Sequence, residues 1–177
     1  EIRYQEIKIP KDIHTISFLP EIPENQKIDL AIVATTSNVR AEIIKNLLKT
    51  NSVKYFILEK LLFDKKRDYQ SIEKLFTKLK IKTWVNCPLR IRPLYKNIKN
   101  DFAKSKNISF RLTGHHWGLA TNALHCLDFV ADLLGSVDFQ INTNFLDKKT
   151  IPSKRKGFLE LNGTLCAYFG NKARCEF

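Results

Sequence analysis

Residues 28–34 read IDLAIVA, and residues 53–58 read VKYFIL. Each is a nearly continuous apolar run, which is typical of a parallel strand covered on both faces. Between them, Ala41, Ile44 and Leu47 recur at helical spacing. This order predicts a parallel β-α-β unit, and in sheets of this kind ligands bind outside the carboxyl ends of the strands.

The same pattern continues along the chain. Residues 64–79 predict a second helix, and residues 82–86 predict a third strand. Ser37 or Asn38 is the expected cap of the first helix, since short polar side chains accept a hydrogen bond from the first free N–H groups. We therefore expect right-handed parallel crossovers between the three strands.

After about residue 105 the sequence favours a different arrangement. Asn162-Gly163 predicts a two-residue hairpin, and Gly135 predicts the end of a long helix. This part is therefore expected to be α+β, with an antiparallel sheet packed on a helix. The expected elements are a strand over 108–112, a helix over 119–134, and strands over 137–145, 157–161 and 164–169.

Shorter segments give weaker signals. Residues 2–9 and 16–19 each suggest a strand, and the prolines around them exclude a long helix. Pro88 and Pro93 bracket a turn, after which residues 94–102 predict a helix.

The formal net charge is +12, which suits either nucleic acid or a surface of solvated lysines. The lysines are scattered along the chain, and only residues 65–67 and 154–156 form tight basic triplets. We therefore expect solvated lysine faces, and nucleic acid is the less favoured partner.

Other features exclude whole classes of protein. No apolar run reaches the roughly 18 residues of a membrane span. The four cysteines form no C-x-x-C pair, so we expect no metal site and a reducing, cytoplasmic location. The first residues have no signal-peptide pattern, and the sequence has no methionine. We expect a piece of a longer protein that lacks residues at its front.

Lys60 and Glu59 follow directly after the second predicted strand. An amine at that edge can polarise a carbonyl or relay a proton, and a neighbouring carboxylate can hold it in place. The alternative is an ordinary surface ion pair between the two.

Four segments in this order carry a resemblance to a known family: residues 29–38, 59–61, 85–95 and 122–128. They look like a strand that ends in an Ala-Thr turn, a Glu-Lys-Pro motif, an Arg-Arg-Phe-x-Pro-x-Tyr stretch and an Asp-x-x-x-His helix. The chain thereby resembles the glucose–fructose oxidoreductase, inositol dehydrogenase and rhizopine catabolism (Gfo/Idh/MocA) family of nicotinamide-dependent sugar dehydrogenases.

The resemblance implies the fold class α/β, with an incomplete Rossmann half followed by an α+β domain that has an open antiparallel sheet. We place the partial Rossmann-type domain at residues 1–103 and the partial substrate or oligomerisation domain at residues 104–177.

The resemblance also implies site residues. Lys60 and His125 become the catalytic pair, and His125 also contacts the substrate. Arg90 would bind substrate oxygens or hold the loop between the domains. NAD or NADP would contact Thr35, Thr36, Ser37, Asn38, Glu59, Lys60 and Asn86.

Several positions depart from the family pattern. No G-x-G-x-x-G occurs, so the phosphate-binding turn and the first β-α-β unit are absent from this sequence. Leu61 replaces the proline, and Leu89 replaces the first arginine. Thr121 stands where an aspartate is usual, which puts the proton relay in doubt, unless Asn122 next to it supplies the polar group.

Some of these residues also have a purely structural interpretation. His125 lies in an apolar helix, where a packed core histidine is the ordinary case, and Asp128 one turn later would orient it or do nothing. His116 and Trp117 can grip a sugar ring by hydrogen bonding and stacking, or form a plain loop. Residues 36–38 can cap the helix or attract a phosphate.

The sequence thus predicts part of an NAD(P)-dependent oxidoreductase that acts on a sugar or sugar-nucleotide hydroxyl or ketone by hydride transfer. The alternative is a non-catalytic module of the same fold that binds sugar or nucleic acid. We expect the piece to be inactive alone, with no membrane contact and a homodimer formed through the open sheet. A bare edge beside residues 28–34 predicts reduced stability or self-association.

Overall fold

The computed structural model describes residues 16–102, 105, 107–154, 156–170 and 172–177. The strand predicted over residues 2–9 lies outside these ranges. No helix in the described part of the chain is long and apolar enough to cross a membrane.

A three-stranded parallel sheet forms the first unit, in the order β1-β2-β3. Residues directly opposite each other include Val33 and Leu58, and then Leu58 and Val85. The carboxyl ends of the three strands therefore meet at one edge of the sheet. The elements are β1 (Lys27–Val33), α1 (Ser37–Thr50), β2 (Ser52–Glu59), α2 (Lys66–Leu79) and β3 (Lys82–Asn86).

A four-stranded sheet in the order β4-β9-β8-β5 forms the second unit, together with a separate two-stranded ribbon, β6-β7. A short 3-10 helix at Pro88–Ile91 connects the two units. The elements are α3 (Pro93–Phe102), β4 (Ile108–Arg111), α4 (Leu119–Leu134), β5 (Gln140–Leu146), β6 (Ile151–Pro152), β7 (Leu159–Glu160), β8 (Gly163–Phe169) and β9 (Ala173–Glu176).

Each sheet has its own core. In the first, Phe56 and Ile44 are fully buried between the sheet and its helices, and the Phe56 ring stacks on Phe76 at a centroid distance of 5.0 Å. In the second, Phe129 and Val130 of α4 pack against the four-stranded sheet. Leu89, Tyr95 and Ile98 also pack on this second core, although the predicted domain boundary follows residue 103. That boundary stays a prediction.

The structure confirms the fold class and most predicted elements. It also differs in four places. Thr36, not Ser37 or Asn38, occupies the cap position of α1, and its side chain makes no cap hydrogen bond. Residues 16–19 form no strand. The second sheet is mixed rather than purely antiparallel, because β4 and β9 run parallel. The prediction of a hairpin at Asn162-Gly163 is wrong, since β7 pairs with β6, while β8 pairs with β5 and β9.

The expectation that β1 is buried on both faces is also wrong. Only Val33 of this strand is buried. Leu30 and Ile32, which point to the same face, are 46% and 65% exposed. Trp84 of β3 lies on that face and is 53% exposed. The helices α1 and α2 therefore cover the opposite face, and an apolar face remains open in the described part of the chain.

Replacement of Ile32 by lysine is expected to reduce self-association of the chain, because a charge on an edge strand opposes pairing with a second copy. Sedimentation velocity at several concentrations measures the effect. Val137→Lys is the matched control, since Val137 is 85% exposed in a loop outside the sheet. A wild-type chain that stays monomeric at every concentration contradicts the prediction.

Candidate functional site

A buried arginine organises the carboxyl edge of the parallel sheet. Arg40 on α1 is only 2% exposed. Its guanidinium donates hydrogen bonds to the carbonyl oxygens of Glu59 at 2.6 Å and Leu62 at 2.8 Å, and also to those of Thr35 and Leu61. One side chain thus joins the end of β1 to the segment that follows β2. Sequence reasoning missed it, because an arginine in an amphipathic helix ordinarily faces solvent.

Lys60 lies in the segment that Arg40 holds, and the peptide bond between Lys60 and Leu61 is cis. The Lys60 ammonium donates a hydrogen bond to the carbonyl oxygen of Thr121 at 2.7 Å. Thr121 belongs to the first turn of α4. The lysine therefore connects the edge of the parallel sheet to the second unit, and it is more than a solvated side chain.

His125 follows Thr121 by four residues on α4, so both lie on one face of the helix. Its Nδ1 atom is buried and has no hydrogen-bond partner in the described part of the chain. Burial lowers the pKa of His125, and the positive charge of Lys60 lowers it further. Glu59 and Asp128 act in the opposite direction. The imidazole is therefore biased toward its neutral form.

The ends of β2 and β3 are joined by polar side chains. Asn86 Nδ2 donates to Glu59 Oε1 at 2.5 Å. The buried Cys87 follows directly, and burial raises the pKa of its thiol. The negative charges of Asp128 and Glu59 raise the pKa of this thiol further, and the positive charges of Arg90 and Lys60 oppose that rise.

Arg90 and Asp128 form a bidentate ion pair, with Nε to Oδ2 at 2.8 Å and a second contact between Nη2 and Oδ1. Of the two roles considered for Arg90, holding the connection between the units agrees with this geometry. Asp128 is engaged with Arg90 and accepts no hydrogen bond from His125. Of the two alternatives for Asp128, the ion pair favours the one in which it does not orient the histidine, and its role at the site stays a prediction.

Two cavities meet at the first turn of α4. The sheet-end cavity, of about 770 Å³, lies between the ends of β1 and β2 and the β6-β7 ribbon. The loop cavity, also of about 770 Å³, lies between residues 114–119 and the same ribbon. Both volumes fall in the range of small-molecule sites. The wall between them is shared and consists of Thr121, Ser153, Lys154 and Glu160.

The predicted site residues distribute over these cavities. The sheet-end cavity brings together Thr35, Glu59 and Lys60. The loop cavity brings together His116, Trp117 and Asn122. The remaining predicted residues line neither cavity: Thr36, Ser37, Asn38, Asn86, Arg90 and His125. The catalytic and binding roles of all these residues stay predictions.

Three hydrogen bonds shape the loop cavity and its wall. Asn122 Nδ2 donates to the carbonyl oxygens of Trp117 and Gly118, the latter at 3.2 Å. Asn122 therefore holds the loop that carries the Trp117 side chain. Glu160, which is 7% exposed, accepts a hydrogen bond from the backbone N–H of Ala120 at 2.8 Å. Sequence reasoning missed Glu160, because a single glutamate in a two-residue strand gives no signal.

No protein-family model matches the sequence, and no curated protein matches it. Solved structures are similar to the chain in fold. An oxidoreductase-class protein from Bacteroides fragilis matches with a TM-score of 0.56 and 17% identity over 84% of this chain and 46% of its own. The dehydrogenase MviM from Clostridium difficile matches with a TM-score of 0.57 and 18% identity over 84% of this chain and 49% of its own.

A third similar structure is the super-repressor mutant of Gal80p from Saccharomyces cerevisiae, with a TM-score of 0.57 and 15% identity over 85% of this chain and 50% of its own. The chain therefore spans about half the length of the solved structures it matches. At these identities the likeness establishes a dehydrogenase-type fold with a Rossmann-like sheet, and not an activity.

Replacement of Arg40 by methionine is expected to lower the free energy of unfolding by about 3 kcal/mol or more, because several buried carbonyl oxygens lose a charged donor. Urea denaturation monitored by circular dichroism measures the change. Arg67→Met on the exposed side of α2 is the control and should change stability little. Equal effects of the two substitutions would contradict this account of Arg40.

Removal of the Lys60 charge is expected to raise the pKa of His125, and removal of the Glu59 charge to lower it further, following the signs of the two electrostatic contributions. Imidazole NMR titrations of Lys60→Met and Glu59→Gln measure both shifts. Lys49→Met on α1 is the control. A pKa of His125 that moves in the same direction in both site variants would refute the arrangement.

Proposed function

We propose that the chain is part of an NAD(P)-dependent oxidoreductase that acts on a hydroxyl or ketone of a sugar or sugar nucleotide. The observation that carries the proposal is the position of Lys60. Lys60 lies at the carboxyl end of a parallel strand and lines the sheet-end cavity. Its ammonium donates a hydrogen bond to Thr121 on α4, the helix that carries His125.

The residues present fit a dinucleotide at the sheet edge. The hydroxyl oxygen of Thr35 is buried without a hydrogen-bond partner in the described part of the chain, although Thr35 lines the sheet-end cavity. An orphaned polar atom of this kind is available to a bound ligand. Thr35, Glu59, Lys60 and Asn86 would hold the nicotinamide end, and residues 36–38 at the start of α1 would lie toward a phosphate. When bound, NAD or NADP supplies the hydride chemistry.

The chain's own residues would supply orientation and proton transfer. The Lys60 ammonium would donate a hydrogen bond to the reacting oxygen and thereby polarise it. His125, whose pKa is lowered by burial and by the Lys60 charge, would act as the proton acceptor. His116, Trp117 and Asn122 would bind the sugar from the loop cavity, with the indole as a stacking surface.

Partners and location complete the proposal. The four cysteines are buried and free, which supports a reducing, cytoplasmic location. We further propose a homodimer through the open four-stranded sheet, whose β5 exposes Phe145 to 60% and Ile141 to 44%.

A second candidate is a non-catalytic binding module of the same fold. The similarity to a super-repressor mutant of Gal80p favours this alternative, as does the net charge of +12. Titration with NADH and NADPH, and with an oligonucleotide at two salt concentrations, separates the candidates. Salt-steep oligonucleotide binding without any change in NADH fluorescence would replace the first proposal by the second.

The catalytic test uses the full-length protein encoded by the gene. There, Lys60→Met is expected to lower kcat for hydride transfer by about 100-fold or more, the ordinary contribution of a positioned acid or base. Lys49→Met, which removes an exposed charge from α1, should leave kcat unchanged. Full activity of Lys60→Met would remove the lysine from the mechanism.

A further inference from the structure

Glu160 places a buried carboxylate beside the site. It lies on β7, and its side chain is directed at the first turn of α4. Oε2 accepts the N–H of Ala120 at 2.8 Å, while Oε1 accepts the hydroxyl of Thr121. Both oxygens are therefore occupied by donors from one helical turn, which compensates for burial of the charge.

The start of α4 requires such an acceptor from elsewhere in the chain. Its cap residue is Gly118, which has no side chain to accept a hydrogen bond from the free N–H groups. A Cβ atom at Gly118 would lie 3.0 Å from Thr121 Oγ1 and 3.1 Å from Glu160 Oε1. The glycine therefore leaves the space in which the Glu160 carboxylate reaches the helix, where the helix dipole also favours a negative charge.

Thr121 connects this carboxylate to Lys60. Its hydroxyl donates to Glu160, and its carbonyl oxygen accepts the Lys60 ammonium at 2.7 Å. His125 lies four residues later on the same helix. The position of one helical turn thus determines where both the ammonium and the imidazole are held.

We propose that Glu160 is a positioning residue of the site, which acts through Thr121 to fix the Lys60 ammonium. The consequence for catalysis rests on the proposed function, whereas the coupling from Glu160 to Lys60 does not. Glu160 and Thr121 lie in the wall shared by the two cavities, and Lys60 lines the sheet-end cavity, which is the proposed cofactor compartment.

Chemical labelling of amines tests the coupling directly. The full chain is treated with limiting acetic anhydride, and acetylation of Lys60 is measured by peptide mass spectrometry relative to Lys49. In Glu160→Gln the amide has one acceptor oxygen for two donors, so the helical turn loosens. Lys60 is then expected to react about tenfold faster, because its ammonium loses the hydrogen bond to the carbonyl oxygen of Thr121.

Variants of Thr121 and Glu176 provide the controls. Thr121→Val removes the hydroxyl and should give the same increase, and the double variant with Glu160→Gln should give no further increase. Thr121→Ser keeps the hydroxyl and should retain the wild-type rate. Glu176→Gln removes a carboxylate of β9 that is paired with Arg111 on β4 and with Arg174, and should not change Lys60 labelling.

The outcomes are distinct. A wild-type labelling rate in Glu160→Gln, or additive effects of Glu160→Gln and Thr121→Val, would overturn the proposal. If a thermal melt shows that Glu160→Gln does not fold, Lys60 acetylation is compared between Thr121→Val and Thr121→Ser instead. Equal rates in these two variants would then overturn the proposal. If Lys60 labelling rises in Glu160→Gln as expected but the full-length protein transfers no hydride, the positioning role of Glu160 stands and the proposed function is rejected.

A kinetic measurement follows where hydride transfer is observed. Glu160→Gln should then lower kcat about tenfold with a smaller effect on the KM for the nucleotide, because Lys60 is displaced whereas the proposed cofactor contacts at Thr35 and Asn86 are not. A rise in that KM with unchanged kcat would contradict the positioning role.

Discussion

The contacts of Arg40 are the constraint on which the site depends. A buried guanidinium is costly unless it is hydrogen-bonded, and here backbone carbonyl oxygens at the ends of two strands accept hydrogen bonds from its Nη1 and Nη2 atoms. Because these carbonyls belong to Thr35 and to the segment after Glu59, the same interaction gives the Lys60 backbone its position. The carboxyl ends of the parallel strands form the edge, and Arg40 fixes the backbone of the segment that carries Lys60 at this edge.

The site also depends on contact between the two units. Lys60 comes from the first unit and is held by a carbonyl oxygen of α4 in the second. The β6-β7 ribbon then closes both cavities from the side of the second unit. Two separate cores therefore build one candidate site, and the hydrogen bond from Lys60 to Thr121 is a direct contact between the two units. This arrangement agrees with the common location of ligand sites between structural units.

Local patterns made much of the fold predictable. The prediction for α4 matches the observed Leu119–Leu134, because apolar periodicity and Gly135 mark its course and its end. Long-range pairing was not predictable: β9 inserts between β4 and β8, and this overrides the local hairpin signal of Asn162-Gly163. Lys60, which a motif marks in the sequence, lines the sheet-end cavity, and its role stays a prediction. Arg40 and Glu160 were missed, since their roles arise only from tertiary contacts.

Thr121 bears on whether the chain is catalytic or a binding module. The family resemblance expects an aspartate at this position, so the sequence alone counts threonine as a lost carboxylate. In the structure, the hydroxyl of Thr121 donates to Glu160, which brings a carboxylate to the same place from β7. Carboxylates at both positions would repel each other, so an acidic residue at 121 and Glu160 are alternative arrangements. The threonine therefore weighs less against catalysis than it does in the sequence.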